Sequence, residues 1–561
     1  MKDVITIAVE EALITLGLPV VAFAVEHPAT TAHGDYACNV ALVLSKQLGE
    51  VPRLIAERLI AALDGQIEYV DRIEIAGPGF INFYLSRDFF ANEIERANTL
   101  GESWGKNQDW AGKKVLVEYT DPNPFKEFHV GHLFTNAVGE SIARLFMMQG
   151  ADTKRINYQG DVGLHVACAV WGMQKLGIEA NGDVSPRKLG KAYALGATAY
   201  KEDETAQTEI RAINKKIYDR SDNEVNAIYD AGRKISLNYF ESIYNIIDTQ
   251  FFAYFFESET GPLGKELVLA NPEIFPLSDE ARIFKGEDYG LHTRVFINKE
   301  GLPTYEAKEL ALAKLKEDRL GEYDWSVIST ASEVSEYFKV LKKALSFIYP
   351  ELASKTEHIG HGMVRLTTGK MSSRTGDVIS AIDFIDEVAA AAEQKMGESG
   401  HSSPNSELAR DVAIAAIKYS TLRGSILQNS IFDKEKALSF EGDSGPYLQY
   451  THARIGSVLE KAKLTGLSSS VSLLPETVYE VERIIYQFEE VVKEAFVERA
   501  PHKIASYLIE LASAFNSFYA EEKIADAGDT YAPYKIAVAE AVRTTLKNGL
   551  WILAIKAPTS M

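Results

Sequence analysis

The chain has 561 residues, of which 46% are hydrophobic and 25% are charged, a composition typical of a globular protein with room for three or four domains. Its formal net charge of −20 argues against a protein that coats nucleic acid non-specifically, although local basic segments remain compatible with specific contacts. Since no apolar run reaches the length of a membrane span and the N-terminus lacks a secretory pattern, we expect a cytoplasmic protein without membrane contacts. Cys38 and Cys168 are too few for a disulfide framework, and we expect both to be buried.

The first 105 residues predict a small α+β module. Apolar residues recur at helical spacing, and two strand-like runs at 69–75 and 80–85 are joined by the Gly-Pro-Gly turn at 77–79. Residues 106–385 alternate strand and helix patterns, which predicts a Rossmann-like, doubly wound parallel sheet. We expect a helical insertion at about 165–248 to interrupt this sheet domain.

The remaining residues, 386–561, show amphipathic helical patterns and no convincing strands. We therefore predict an all-α bundle at the C-terminal end of the chain. The predicted helices cover residues 409–427, 446–464, 478–496, 501–519 and 532–555.

The most informative segment is YTDPNPFKEFHVGH at 119–132. It follows an apolar, β-branched run that is typical of a buried strand, and it leads into an amphipathic helix that ends near Gly150. His129 and His132 therefore share one face at the start of this helix, beside the positive end of its dipole. Two imidazole donors in that field predict a phosphate cradle, and Gly131 leaves room for a ligand to approach the backbone. The simpler alternative is that both histidines only cap the helix.

A second motif, GKMSSRTG at 369–376, is polar and flanked by glycines, which is typical of a mobile loop that carries cations. The segment around it is locally basic. Together the two motifs resemble the signatures of class I aminoacyl-tRNA synthetases, whose Rossmann-like domain binds ATP between them.

The resemblance narrows to the arginyl-tRNA synthetase family and covers nearly the whole chain. It implies a small N-terminal domain that contacts the outer corner of tRNA, a catalytic domain, and a helical anticodon-binding domain. The motifs that carry it are VEYTDPNP at 117–124, NYQGD at 157–161, ESE at 257–259, YGLHTRV at 289–295, LPTYEAK at 302–308, GPYLQYTHAR at 445–454 and the closing Ala-Pro at 557–558.

This resemblance implies ATP-dependent ligation of L-arginine to its tRNA through an arginyl-adenylate, with release of AMP and pyrophosphate. We expect Mg²⁺ to arrive with ATP and no zinc site, because the chain offers neither a dedicated magnesium cage nor zinc-binding cysteines. The catalytic roles fall on His129, His132 and Lys370. The residues expected to bind ATP are Gly131, His132, Lys370, Met371, Ser372 and Ser373.

The arginine site also rests on the resemblance. A guanidinium needs planar acceptors and tolerates an aromatic face. Tyr305 and Glu309 are four residues apart in a helical pattern and can face the same way. The residues expected to bind arginine are Glu118, Asn123, Glu257, Tyr305 and Glu309.

Three positions depart from the family pattern. Ser373 replaces the usual lysine of the second motif, with Arg374 following it as a possible substitute cation. Glu309 replaces the usual aspartate and is one methylene longer. A family glutamine is absent, and Glu333 or Val334 stands in its place.

The tRNA contacts are expected on the first helix of the C-terminal domain, where polar and aromatic side chains look exposed and can stack on unpaired bases. Packing between helices is the alternative role for the tyrosines. The expected residues are Tyr447, Gln449, Tyr450 and Arg454. The family further implies a monomer that activates arginine mainly when tRNA is bound.

Three other functions compete with this interpretation. A cysteine-specific synthetase shares this type of helical C-terminal domain, but it usually carries a zinc site for which this chain lacks the cysteines. A nucleotidyltransferase uses the same His-x-Gly-His motif, but such enzymes are much shorter. A catalytically silent tRNA-binding paralogue is disfavoured by the intact His129, His132 and Lys370. No editing activity is expected, because a pocket of paired charges rejects smaller analogues by itself.

Overall fold

The computed structural model describes residues 1–179, 184–366, 379–398 and 406–561. Two compact units account for the fold. One comprises Met1–Trp104, Ile455–Phe488 and Glu510–Thr545, and the other comprises Gly105–Arg454, Glu489–Ile509 and Leu546–Met561. Within the described ranges, the helices are all too short or too polar to cross a membrane.

The N-terminal part of the first unit is built on a four-stranded antiparallel sheet in the order β1-β2-β4-β3. The two strands predicted around the Gly-Pro-Gly turn are confirmed, and they pair directly as a hairpin. Cys38 lies in the core of this layer and is fully buried, as predicted. The elements are α1 (Lys2–Thr15), β1 (Val25–Glu26), β2 (Tyr36–Cys38), α2 (Val40–Leu48), α3 (Pro52–Leu63), β3 (Val70–Ala76), β4 (Phe80–Leu85) and α4 (Arg87–Leu100).

The second unit contains a five-stranded, fully parallel sheet in the order β12-β11-β5-β6-β7. Strands β6 and β7 are added on one side of β5, and the later strands β11 and β12 are added on its other side. The direction in which strands are added therefore reverses between β5 and β11. The predicted doubly wound fold is therefore confirmed, and the carboxyl ends of these two central strands are where such sheets bind ligands. The strands are β5 (Lys114–Tyr119), β6 (Asp152–Gln159), β7 (Ala253–Phe256), β11 (Trp325–Ala331) and β12 (Thr356–His361).

Helices connect the parallel strands, as is usual for the long crossover connections that parallel pairing requires. The helix after β5 begins next to the histidine motif, and Gly150 follows its last turn with a left-handed φ of 82°, as the sequence predicted. The helices of this layer are α5 (Val130–Met148), α10 (Glu257–Ala270), α11 (Tyr305–Leu320), α12 (Ser335–Ile348), α13 (Pro350–Lys355) and α14 (Ala381–Glu398).

A helical segment separates β6 from β7, where the insertion was predicted. Its first two helices approach closely at glycines: a Cβ added at Gly172 or Gly196 would lie 2.0 Å from a backbone carbonyl oxygen of the facing helix. Cys168 is buried at this contact. The helices are α6 (Leu164–Lys175), α7 (Pro186–Glu202), α8 (Glu204–Asp219) and α9 (Asn223–Ile246).

Two small sheets were not predicted. Strands β8 (Leu277–Ser278), β9 (Ala281–Phe284) and β10 (Arg294–Ile297) form an antiparallel meander between α10 and α11. A parallel pair joins β13 (Val364–Leu366) to β14 (Ser430–Phe432). The prediction of no strand beyond residue 386 is therefore wrong at β14, because a three-residue strand carries no periodicity that a sequence pattern can reveal.

The C-terminal part is otherwise helical, as predicted. The single helix predicted at 478–496 is two helices in the structure, because the helix is interrupted between Ile485 and Phe488. The helices are α15 (Ser406–Leu422), α16 (Lys434–Ala437), α17 (Gly445–Leu464), α18 (Glu480–Ile485), α19 (Phe488–Val497), α20 (Pro501–Glu521) and α21 (Ala532–Ile552).

Candidate active site

The chain leaves β5 through a sharp turn that aims the following loop at α5. Thr120 and Asp121 both adopt left-handed backbone angles, with φ of 78° and 43°, which few non-glycine residues tolerate. Side chains fix this turn: Asn136 Nδ2 donates to Thr120 Oγ1 at 3.1 Å, and the Tyr158 N–H donates to Asp121 Oδ1 at 2.8 Å. The loop that carries the histidine motif is thus anchored to α5 and β6.

The two histidines of the first motif lie together at the start of α5, as the sequence predicted. Their rings stack with centroids 3.8 Å apart, and His129 is the N-cap residue. The backbone N–H of His129 donates to Nδ1 of His132 at 3.2 Å, so the proton of a neutral His132 ring resides on Nε2. A Cβ added at Gly131 would lie 2.9 Å from the His129 ring, and the glycine therefore makes this stacking possible.

Both histidines are neutral at physiological pH. Burial, followed by the charge of Lys126, lowers the pKa of His129 to about 4. Burial, His129 and Lys126 hold the pKa of His132 well below its ordinary value. The pair can therefore offer neutral N–H donors to a phosphate, while the fixed positive charge comes from Lys126.

Lys126 was missed as a site residue in the sequence, although it stands three positions before His129. Burial lowers its pKa, with the charge of Glu257 opposing that effect. Its ammonium also lies 5.1 Å from the centre of the Tyr193 ring. Its position in the sequence, between the Pro-Asn-Pro segment and the two histidines, could have predicted a positive charge at the phosphate site.

The second motif lies outside the described residues, which resume at Ile379. Lys370, Met371, Ser372, Ser373 and Arg374 therefore have no structural description.

Two of the predicted arginine-binding glutamates are already paired with lysines of α11. Lys316 Nζ lies 2.5 Å from Glu118 Oε2, and Lys308 Nζ donates to Glu257 Oε2 at 2.5 Å. All four side chains are less than one-tenth exposed. Glu118 and Glu257 therefore each have a cationic partner within the protein. Neither lysine was predicted as a site residue, although both lie on the same predicted helix as Tyr305.

Glu309 follows Lys308 on α11, and within the described part of the chain it forms no ion pair. It is 4% exposed, and its Oε1 has no hydrogen-bond partner among the residues that the structure describes. Burial and then the charge of Glu118 raise its pKa to about 8, against the lowering effects of Lys316 and a hydrogen bond from Tyr305. Tyr305 and Glu309 thus face each other as predicted, and the Tyr305 side chain remains 43% exposed.

Asn123 approaches the same region from the loop after β5. A Cβ added at Gly160 would lie 2.3 Å from Asn123 Oδ1 and 3.3 Å from Glu257 Oε1. The absence of a side chain at Gly160 therefore lets the Asn123 amide and the Glu257 carboxylate converge at the end of β6. All five predicted arginine-site residues lie at the carboxyl-end edge of the parallel sheet or at the start of α11.

The predicted tRNA-binding residues lie apart from this edge, on α17. The expectation that Gln449 is exposed is wrong: it is fully buried, and its Nε2 donates to the carbonyl oxygen of Lys556 at 2.9 Å. Its polar side chain is needed to satisfy the backbone of the C-terminal segment. Tyr447, Tyr450 and Arg454 are half-buried, and the Arg454 guanidinium lies 4.7 Å from the centre of the Tyr450 ring.

The parallel sheet with a histidine pair at its first helix defines the catalytic domain of a class I aminoacyl-tRNA synthetase. The sequence family described as tRNA synthetases class I (R), catalytic domain, matches residues 97–434. The arginyl-tRNA synthetase N-terminal domain matches residues 2–85, and the DALR anticodon-binding domain matches residues 448–561. The chain belongs to the arginyl-tRNA synthetase family.

Similar proteins agree over the full length. The arginine–tRNA ligase of Clostridium botulinum is 29% identical over 95% of this chain and 94% of its own length. The arginine–tRNA ligase of Levilactobacillus brevis is also 29% identical, with complete coverage of both chains. The structure of Thermus thermophilus arginyl-tRNA synthetase superimposes with a TM-score of 0.80 at 25% identity and covers all of both chains.

Proposed function

We propose that this chain ligates L-arginine to its tRNA in two steps, through an arginyl-adenylate formed from ATP. The observation that carries the proposal is the arrangement of one edge of the sheet. A neutral histidine pair with an adjacent lysine stands at the start of α5, and a buried acidic pocket containing Glu309 lies beside it. The first group suits phosphate, and the second suits a guanidinium.

In the first step, the arginine carboxylate attacks the α-phosphate of ATP and pyrophosphate leaves. The nucleophile is already charged, so the protein has to align the reactants and stabilise phosphate charge. His132, with its proton on Nε2, donates to the phosphates, and His129 stacks on it and fixes its orientation. Lys126 supplies positive charge from the loop, and Lys370 is proposed to meet the charge that develops on pyrophosphate. Mg²⁺ arrives bound to ATP.

The rest of the proposed ATP site follows from the two motifs. Gly131 leaves space at the start of α5, and residues of the second motif are proposed to bind the nucleotide. Its contributors are Lys370, Met371, Ser372 and Ser373.

For arginine, we propose that the guanidinium binds the carboxylate of Glu309 with Tyr305 against its face. Glu118 and Glu257 remain paired with their lysines and shape the wall of the pocket. Asn123 is proposed to bind the amino or carboxylate end of the substrate. An apolar or shorter amino acid would supply no cation to Glu309, so it would lack the stabilisation that the guanidinium gains and would bind much more weakly.

In the second step a terminal ribose hydroxyl at the 3′ end of tRNA attacks the arginyl carbonyl of the adenylate, an ester forms, and AMP leaves. We propose that residues 1–105 contact the outer corner of tRNA and that residues 386–561 read the anticodon, with residues 106–385 as the catalytic domain. Tyr447, Tyr450 and Arg454 are proposed as base-stacking residues, whereas the buried Gln449 supports α17 from behind. We further propose a cytoplasmic monomer.

The direct test is to charge total tRNA with each of the twenty amino acids in turn. We expect stable charging with arginine only, and abolition of charging when ATP is omitted. Stable charging with another amino acid but not arginine would show that the substrate assignment is wrong.

A further inference from the structure

Helix α5 carries a stripe of polar residues along a side that is largely buried in the protein. The members of the stripe recur at every fourth position and therefore lie along one face of the helix. They are His132, Asn136, Glu140 and Arg144. Asn136 and Glu140 are fully buried, and Arg144 is 4% exposed. Because well-packed apolar residues are often at least as stable as buried ion pairs, this polar stripe requires an explanation other than stability.

Glu140 lies in the middle of the stripe, and its two carboxylate oxygens have different partners. Oε1 accepts hydrogen bonds from Arg144 Nε at 2.8 Å and from the guanidinium of Arg155, on β6, at 2.7 Å. Oε2 accepts a hydrogen bond from the hydroxyl of Tyr119. Burial opposes the ionisation of Glu140, but the charges of the two arginines outweigh it and lower the pKa of the carboxyl. Glu140 is therefore a buried anion that is fixed by two cations and binds Tyr119 with its second oxygen.

Tyr119 is the last residue of β5 and immediately precedes the strained turn at Thr120 and Asp121. Burial and then the charge of Glu140 raise the pKa of its hydroxyl, which therefore keeps its proton and donates. The carbonyl oxygen of Tyr119 accepts from Asn157 Nδ2 at 2.8 Å. Left-handed backbone angles at non-glycine residues persist only where the surrounding structure imposes them. The fixed position of Tyr119 supplies such a constraint on one side of the turn.

The far end of the stripe is anchored to two other segments of the same unit. The guanidinium of Arg144 donates to the carbonyl oxygen of Trp551 at 2.8 Å and to that of Asp248 at 3.1 Å. Trp551 lies in the last turn of α21, where the helix dipole favours a cation. These bonds oppose any sliding of α5 along its axis, so Glu140 holds Tyr119 from a fixed point.

We propose that Glu140 is a positioning residue for adenylate formation. Its carboxylate fixes Tyr119, and Tyr119 fixes the turn from which the loop with the histidine pair departs. Phosphate donors stabilise a transition state only when they are already in place, and a misplacement of about 1 Å can lower a rate about a hundredfold. This inference rests on the proposed adenylate chemistry. It assigns to Glu140 an effect on His132 without contact with either substrate.

The informative variant is Tyr119→Phe. Removing Glu140 itself would leave two arginines unpaired in the core, whereas Tyr119→Phe deletes one hydroxyl and keeps both ion pairs of Glu140. The assay is arginine-dependent exchange of pyrophosphate with ATP in the presence of arginine tRNA. We expect kcat to fall about tenfold, with the KM values for ATP and arginine within about twofold of wild type. An unchanged kcat would refute the inference. A raised KM for arginine would also refute it, because the effect would then lie at the neighbouring Glu118.

The other compact unit contains a matched control. There the hydroxyl of Tyr534 donates to the buried Glu482, which also accepts from the guanidinium of Arg87 at 2.8 Å. Tyr534→Phe deletes the same kind of hydrogen bond and should lower the melting temperature about as much as Tyr119→Phe does. Its kcat for exchange should nevertheless stay at the wild-type value. An equal loss of kcat in both variants would show that destabilisation alone causes the effect, and the inference would be wrong.

A double variant tests whether the effect passes through His132. In a His132→Ala background, Tyr119→Phe should change kcat little further, because the side chain that it helps to position is already absent. A further tenfold loss, measured in the same assay, would show that Tyr119 acts independently of His132 and would overturn the inference. Arginine-dependent exchange by the wild-type protein, measured first, tests the proposed function separately.

Discussion

The raised pKa of Glu309 predicts that arginine binding strengthens as pH rises towards 8. The empty pocket favours the protonated carboxyl below a pKa of about 8, because burial and the Glu118 charge oppose ionisation. The guanidinium of arginine stays cationic throughout and pairs with the ionised form. At pH 7 only about one site in ten is ionised, which costs about 1.4 kcal/mol of binding free energy.

The expected result is a KM for arginine that falls about tenfold between pH 7 and pH 9 and levels off above pH 8. The KM for ATP serves as the internal control, because the pKa of His129 is about 4 and its ring does not titrate in this window. The assay is arginine-dependent exchange of pyrophosphate with ATP in the presence of tRNA. A KM for arginine that does not change across this range would refute the assignment of Glu309 as the guanidinium acceptor.

Two variants sharpen the result. Glu309→Gln cannot ionise, so its KM for arginine should be high and nearly independent of pH. Lys316→Met removes a charge that lowers the pKa of Glu309, and the midpoint of the profile should therefore move to higher pH. A midpoint that moves to lower pH would contradict the electrostatic account of the pocket.

The other predictions concern phosphate chemistry, packing and the role of tRNA. His132→Ala or Lys370→Ala should slow adenylate formation by about a hundredfold or more while tRNA affinity, measured by filter binding, stays near wild type. Gly139→Ala should lower the free energy of unfolding by about 2 kcal/mol in urea titrations, because its Cβ would overlap the Tyr119 side chain, and an unchanged midpoint would contradict that contact. Pyrophosphate exchange should require arginine tRNA, and full exchange in an RNA-free preparation would refute this expectation.

Periodicity and motif spacing predicted the larger features of this fold. Apolar residues recur at regular spacing along the parallel strands, the inserted helices and the C-terminal helices. This spacing can be read directly from the sequence. Strand β14 and the meander of β8 to β10 could not be predicted in this way, because each strand has only two to four residues and depends on pairing with distant parts of the chain.

The site was predicted less completely than the fold. The sequence predicted two pairs of site residues from helical spacing, His129 with His132 and Tyr305 with Glu309. In the structure the two members of each pair interact with each other. Gln449 was misjudged, because its sequence neighbours are polar while its actual partner is a carbonyl oxygen more than 100 residues away. Contacts of that kind depend on tertiary packing and leave no local pattern.

The buried lysines explain how one pocket can hold several glutamates and still favour a single cation. If Glu118, Glu257 and Glu309 were all ionised and unpaired, their mutual repulsion would oppose folding and would attract any cation that fits. Lys316 and Lys308 pair with two of those carboxylates inside the protein. Glu309 then favours its neutral form below a pKa of about 8, and a cationic ligand shifts it to the ionised form. The pocket therefore remains electrically balanced when empty, and only a substrate that compensates the ionisation of Glu309 is bound well.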